Sequence, residues 1–120
     1  MLQITSIYAS LIALLFLWLS ARVIVYRRQN KIALGDSGDK SLLKRMRAHA
    51  NCAEYAPIAL ILLALIETSG APSLAVHALG ALLVAGRFLH GFGFSASPPM
   101  VLARVLGTAS TLIMIALSAL

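Results

Sequence analysis

The chain has 120 residues, of which 60% are hydrophobic and 12% are charged, and its mean hydropathy is +0.90. Soluble domains carry about 25% charged residues, so the composition excludes an ordinary soluble domain and predicts one small integral membrane domain over residues 1–120. The net charge of +6 does not indicate nucleic acid binding, because the basic residues lie at the ends of apolar segments, without interleaved aromatic residues or a soluble module.

Four segments approach the length of about 20 residues with which a helix crosses a bilayer. The first, over residues 2–26, is predicted to be a retained membrane span. It does not resemble a signal peptide, because it lacks an early Lys or Arg and its apolar run is too long. The others are predicted over residues 46–67, 71–91 and 98–120. Together they predict an all-α integral membrane four-helix bundle.

The segments between the spans contain turn and capping residues. Asp39 or Ser41 is predicted to cap the second helix. Gly70 and Pro72 separate the second and third spans. Ser97 precedes two prolines and is predicted to cap the fourth helix.

Basic residues are concentrated around the first loop, and eight of the ten Lys and Arg residues lie between positions 22 and 47. Cytoplasmic loops are enriched in these residues. The sequence therefore predicts that loops 27–45 and 91–99 face the cytoplasm and that both termini lie on the other side. The single cysteine, Cys52, leaves no disulfide within the chain and no thiolate metal cluster, and no metal site is predicted.

Three of the predicted helices carry polar side chains at helical spacing near their cytoplasmic ends. These stripes are Arg47, Asn51 and Glu54 on the second span, Arg87 and His90 on the third, where Phe94 continues the same spacing, and Arg104, Thr108 and Thr111 on the fourth. Polar groups at membrane depth must be buried against protein or line a wet cavity. We therefore expect the stripes and Arg22 to form one basic cavity that opens to the cytoplasm. Arg45 and His49 point to another side of the second helix.

A cavity with four arginines and Glu54 as its main acid favours an anionic ligand, because guanidinium groups bind carboxylates through paired hydrogen bonds. Its apolar walls would admit a lipid-like co-substrate. Structural interpretations remain open for several residues. Arg22 taken alone is more typical of an interfacial arginine than of a ligand contact. Arg47, Asn51 and Glu54 are also compatible with a structural role, as a buried ion pair and an amide that join helices. His49 and His90 are also typical of hydrogen-bonded bundle residues.

The third and fourth spans are rich in small residues, which allow helices to approach closely in lipid. The small residues are Gly80, Ala81, Ala85, Gly86, Gly107, Ala109 and Ser110. They predict a tight bundle that is repeated in an oligomer.

The stretch RAHANCAEYAP, from Arg47 to Pro57, resembles the helix-two signature of the membrane-associated proteins in eicosanoid and glutathione metabolism (MAPEG). This family contains the microsomal glutathione transferases and the leukotriene and prostaglandin synthases. The longer stretch LGDSGDKSLLKRMRAHANCAEYAPIALILLALIE resembles the bacterial branch. The resemblance covers nearly the whole chain. It implies a homotrimer in the bacterial inner membrane, with glutathione bound between subunits near the cytoplasmic side.

The resemblance also implies the ligand contacts. The residues that would bind glutathione are Arg22, Arg47, His49, Asn51, Glu54, Tyr55, Arg87 and His90. The implied catalytic residue is Arg104, which would stabilise the thiolate. Counted from Phe94 without gaps, the thiol-activating arginine of the leukotriene synthases falls on Val101, and Arg104 lies one turn later. Where those enzymes carry two tyrosines, this chain has His90 and Phe94.

The predicted function is that of a glutathione-dependent membrane transferase or peroxidase, in which the thiol attacks a lipophilic electrophile or hydroperoxide. One alternative is a non-catalytic, lipid-binding scaffold of the same family, which the replacement of a tyrosine by Phe94 favours. The other is a small proton-coupled multidrug exporter that would use Glu54. Such exporters carry their acid in the first span, whereas Glu54 lies in the second, among arginines that repel cationic drugs.

Overall fold

The computed structural model of the chain describes residues 2–95 and 101–120, without the side chains of residues 94 and 95. These residues form four α-helices, which are α1 (Gln3–Asn30), α2 (Lys40–Thr68), α3 (Ser73–Ser95) and α4 (Val101–Ala119). Each helix is long and apolar enough to cross a membrane. The predicted all-α integral membrane four-helix bundle is confirmed. The predicted cap Ser97 lies outside the described residues.

The helices extend beyond the predicted spans on the side of the loop that joins α1 to α2, which we call the basic loop because most of the Lys and Arg residues lie around it. α1 continues past residue 26 to Asn30, and α2 begins at Lys40 rather than at residue 46. A count of apolar residues finds only the part of a helix that lies in the hydrocarbon core of the bilayer. The helices continue beyond it because Lys and Arg are good helix formers. α3 also continues to Ser95, so residues 91–95, expected in a loop, are helical. Glycines are tolerated in membrane helices that neighbouring helices cover, and Gly91 and Gly93 are buried.

Asp39 caps α2, and it is one of the two residues, Asp39 and Ser41, that the sequence offers as the cap. Its Oδ1 accepts hydrogen bonds from the backbone N–H groups of Ser41 at 2.9 Å and Leu42 at 3.1 Å. Its Oδ2 accepts a hydrogen bond from the Tyr26 hydroxyl at 2.7 Å. The Tyr26 bond, followed by the backbone bonds, holds the pKa of Asp39 below its usual value. The cap therefore also attaches the loop to α1.

The opposite end of the bundle is held by Glu67. α1 has no capping side chain of its own. The Glu67 carboxylate, at the end of α2, accepts hydrogen bonds from the N–H groups of Ile4 and Thr5, both at 2.9 Å. A carboxylate at this position satisfies two backbone donors and interacts favourably with the helix dipole. α1 and α2 are thus antiparallel neighbours joined at both ends.

α3 and α4 approach each other backbone to backbone at Gly86 and Gly107. A Cβ atom added to Gly107 would lie 2.5 Å from the Gly86 carbonyl oxygen and 2.6 Å from the backbone nitrogen of His90. Atoms cannot approach so closely without a shift of the backbone. The small residues of these two helices therefore allow the close packing that the sequence predicts.

Most of the bundle core is apolar, and it includes Cys52, which is buried. The core residues are Ile12, Leu15, Leu19, Ala48, Cys52, Ala56, Ala59, Leu63, Val76, Leu83 and Met114. Large aliphatic side chains also cover the outer faces of all four helices, for example at Leu14, Ile61, Leu89 and Leu102. This arrangement is typical of helices that contact lipid or another subunit.

Candidate functional site

A buried guanidinium joins three helices. Arg87 on α3 is 1% exposed, and its Nε donates to the Thr111 hydroxyl on α4 at 2.9 Å. One terminal nitrogen donates to the Asn51 side-chain oxygen on α2. The guanidinium carbon lies 5.6 Å from the centre of the Tyr55 ring. The Thr111 hydroxyl in turn donates to the Gly107 carbonyl oxygen at 3.0 Å. We call Arg87, Asn51, Tyr55 and Thr111 the Arg87 cluster.

The positive charge of Arg87 has no carboxylate partner among the residues that the structure describes. Its hydrogen bonds all end on neutral oxygens of Asn51, Thr111 and Gly107. A buried charge that is not neutralised is costly. The cluster is therefore a place where the bundle keeps positive charge inside the membrane.

An open groove of about 430 Å³ lies beside this cluster on α3 and α4. The groove is lined by His90, Val101, Arg104, Val105, Thr108, Ala109 and Leu112. We call it the α3–α4 groove. His90 is 4% exposed, and the charges of Arg87, Arg104 and Arg47 all act on it. His90 thus lies between the Arg87 cluster and the groove.

Val101 and Arg104 both line the α3–α4 groove, so the two positions considered for the thiol-activating arginine lie in the same place. Val101 cannot stabilise a thiolate, whereas the Arg104 guanidinium can. Phe94 stands where the leukotriene synthases carry a tyrosine, and its side chain lies outside the described part of the structure.

Arg47 and Glu54 form an ion pair on α2, with a nitrogen to oxygen distance of 3.7 Å. Their side chains are 50% and 55% exposed in the isolated subunit. Glu54 therefore pairs with an arginine of its own helix, and within one subunit the pair does not join two helices. The pair lies on the open surface of the subunit, while the Arg87 cluster lies inside.

His49 and Arg22 lie toward α1. The His49 Nε2 and the Ser20 hydroxyl share a hydrogen bond at 3.0 Å, and the His49 ring packs on Phe16 with 4.6 Å between centroids. The Arg22 guanidinium lies 5.2 Å from the centre of the Trp18 ring. His49 thus lies on the predicted second side of α2.

Within one subunit, the described residues do not form a single basic cavity. The structure brings Asn51, Tyr55 and Arg87 together and puts His90 and Arg104 beside them, but His49 makes its contacts with α1. The physical reason is that polar stripes on neighbouring helices face different neighbours. Helical spacing predicts a shared face on one helix, but it does not predict which other helix that face contacts.

Sequence reasoning missed Ser20, the partner of His49. Ser20 and Phe16 lie four residues apart on α1 and both contact His49. This i, i+4 spacing is the pattern that could have identified them as one face of the helix. Sequence reasoning did place Thr111 in a polar stripe, but it did not identify Arg87 as its partner.

The arrangement combines several positive charges with neutral hydrogen-bonding groups beside a groove with largely apolar walls. Such a site can bind an anionic, partly apolar ligand and can stabilise a negative charge that develops on a reacting atom.

Comparison with known proteins agrees with the signature in α2. The model of the MAPEG family matches residues 5–120. The inner membrane protein YecN of Escherichia coli strain K12 is 41% identical over 92 residues, which cover 77% of this chain and 70% of YecN. YecN of Escherichia coli O6:H1 strain CFT073 gives the same values. The chain is therefore a multi-pass membrane protein that belongs to the MAPEG family.

Proposed function

We propose that this MAPEG protein is a glutathione-dependent membrane transferase or peroxidase. The main observation in support of the proposal is the positive charge of Arg87. Its side chain is buried and, among the described residues, is hydrogen-bonded only to neutral oxygens. Ionisable residues inside a membrane are costly and mark functional sites by default. Arg47 and Arg104 add positive charge around the same histidine. An anionic ligand would supply the missing negative charge.

Glutathione fits this charge pattern, because it carries two carboxylates, one ammonium group and a thiol. Arg47, Asn51 and Arg87 offer donors for the carboxylates. Glu54 offers an acceptor for the ammonium group, and Tyr55 and His90 offer further hydrogen bonds. In the homotrimer that the resemblance implies, Arg22 and His49 would reach the ligand from a neighbouring subunit. We further propose that the end of the bundle at which α1 connects to α2, and α3 to α4, faces the cytoplasm, where glutathione is available.

Arg104 is the proposed catalytic residue. A guanidinium near the glutathione sulfur lowers the pKa of the thiol and raises the thiolate fraction at neutral pH. The thiol proton passes to solvent. In the transferase reaction, the sulfur forms a bond to an electrophilic carbon, and the leaving group departs with the bonding electron pair.

In the peroxidase reaction, the thiolate attacks the terminal oxygen of a lipid hydroperoxide and the O–O bond breaks. The alkoxide takes a proton and leaves as an alcohol. A second glutathione reduces the resulting sulfenic acid, which gives glutathione disulfide and water. The apolar side chains of Val101, Val105 and Leu112 in the α3–α4 groove would let either lipophilic substrate approach from the bilayer.

The first test is the ultraviolet difference absorbance of the glutathione thiolate, recorded across pH on the purified protein in detergent. We expect a thiolate signal at neutral pH in the wild-type protein. Arg104→Leu should lose this signal and still bind glutathione in calorimetry. Arg47→Leu should weaken binding about tenfold, as expected for the loss of one charge-assisted hydrogen bond. Arg28→Leu, in the exposed last turn of α1, is the control for charge alone.

An unchanged thiolate signal in Arg104→Leu would refute the role of this residue. Glutathione binding without a thiolate signal in the wild-type protein would instead support the non-catalytic, lipid-binding scaffold. If glutathione did not bind at all, the proposal would be wrong, and proton-coupled efflux of a quaternary ammonium dye by proteoliposomes would then support the exporter.

A further inference from the structure

A second cluster of arginine and aromatic side chains lies at the ends of α1 and α2 next to the basic loop. It forms a pocket of about 280 Å³. The pocket is lined by Trp18, Ala21, Arg22, Val25, Tyr26, Gln29 and Arg45. We call it the Arg45 pocket. Arg22 is among the residues proposed to bind glutathione, but Arg45 is not, so the surroundings of Arg45 require their own explanation.

Arg45 has no hydrogen-bond acceptor in the part of the chain that the structure describes. Its Nε is shielded from solvent and makes no hydrogen bond. The like charge of Arg22 lies close enough to act on it. A shielded guanidinium donor without an acceptor costs free energy, and a second positive charge nearby adds to that cost. An anion in the pocket would remove both costs.

The carboxylates of the chain are engaged elsewhere. The sequence contains four Asp and Glu residues, and Asp39 is the one whose charge interacts with Arg45. Both oxygens of Asp39 are occupied by Tyr26 and by two backbone N–H groups. Asp36 accepts a hydrogen bond from Gly38. The other two are Glu54, which pairs with Arg47, and Glu67, which caps α1. The anion that fits the pocket must therefore come from another molecule.

The aromatic rings hold the two guanidinium groups in place. Arg45 lies over the Tyr26 ring, with 4.6 Å from its guanidinium carbon to the ring centre, and Arg22 lies over Trp18 at 5.2 Å. The Tyr26 ring is itself fixed by the hydrogen bond to Asp39. A guanidinium group that an aromatic ring holds in place has a planar set of donors, which suits the oxygens of a phosphate. Less side-chain entropy is lost when such prearranged groups bind.

We propose that the Arg45 pocket binds the phosphate group of an anionic phospholipid. The pocket lies where two membrane helices meet the basic loop, which is the depth of lipid headgroups. Val25 and Ala21 provide an apolar wall along α1 on which an acyl chain can lie. A free phosphate ion has the same oxygens but cannot use this wall. Phosphatidylglycerol is therefore expected to bind more tightly than inorganic phosphate.

Native mass spectrometry of the full chain in neutral detergent, titrated with phosphatidylglycerol, tests the proposal. We expect one lipid to bind to each chain with higher affinity than the rest. Arg45→Gln should weaken this first binding step about tenfold, the effect of losing a charge-assisted interaction. Arg28→Gln removes the same charge from an exposed position on α1, and it should have a much smaller effect.

Arg45→Lys provides a second variant that keeps the charge. Lysine lacks the planar donors, so we expect it to weaken the first binding step severalfold. Wild-type affinity in Arg45→Lys would overturn the proposal, and so would equal losses in Arg45→Gln and Arg28→Gln. If inorganic phosphate displaced the lipid at comparable concentrations in an Arg45-dependent way, the site would be assigned to a soluble ligand and the proposal would be overturned. Binding of lipid that inorganic phosphate does not displace would assign it to the headgroup.

Discussion

The hydroxyl of Thr111 offers a direct test of how the Arg87 cluster is held together. Thr111 is 1% exposed, and its hydroxyl accepts from the Arg87 Nε and donates to the Gly107 carbonyl oxygen. Thr111→Val keeps the shape of the side chain but leaves the Arg87 Nε without its acceptor. A hydrogen bond to a charged group contributes about 1.5–3 kcal/mol in soluble proteins, and interhelical bonds in membranes contribute somewhat less. We expect the free energy of unfolding to fall by about 2 kcal/mol.

The measurement is equilibrium unfolding in mixed micelles of a mild detergent and sodium dodecyl sulfate, followed by the fluorescence of Trp18. Thr111→Ser is the matched control, because it keeps the hydroxyl and loses one methyl group, at a cost of about 1 kcal/mol. Thr111→Val should therefore be the less stable of the two variants. Equal stability, or a more stable valine variant, would show that the hydroxyl does not hold Arg87.

Three further predictions follow from other contacts. Glu67→Ala removes the cap of α1 and should lower the unfolding midpoint more than Thr68→Ala, whose hydroxyl bonds only within its own helix. Gly107→Ala places a methyl group against the backbone of α3 and should cost about 2 kcal/mol of unfolding free energy. Gly91→Ala, whose added atom would contact only leucine side chains at 3.6 Å or more, should cost little. The lowered pKa of Asp39 means that its cap is complete above the usual carboxyl pKa of about 4 and is lost as pH falls through the folded value. Asp39→Asn should remove this pH dependence, which a carboxyl titration by NMR and unfolding at several pH values would measure.

Much of the fold follows from local features of the sequence. The length and composition of the four segments predict the helices, and Asp39 satisfies the local rule for a helix cap. Periodicity also separates His49 from Asn51 on α2, and the structure puts them on different sides. These predictions depend only on residues close together in the chain, which is why the sequence suffices for them.

The contacts between helices could not be predicted in this way. In a soluble protein, the apolar stripe of a helix identifies the side that faces the core. In a membrane protein, lipid makes the outer sides apolar as well, so hydrophobicity does not distinguish the core from the surface. The pairing of Ser20 with His49 and the hydrogen bonds of Glu67 to α1 therefore appear only in the folded bundle.

The sequence by itself determined that the chain is a four-helix membrane protein with a MAPEG signature on its second helix. It also identified the polar residues that lie at membrane depth. Only the tertiary structure decided which of these residues meet. It buries Arg87 against Asn51 and Thr111 and leaves Arg47 and Glu54 on the open surface. The physical reason is that the close approach of α3 and α4 at Gly86 and Gly107 fixes the depth and direction at which the side chains of these helices meet.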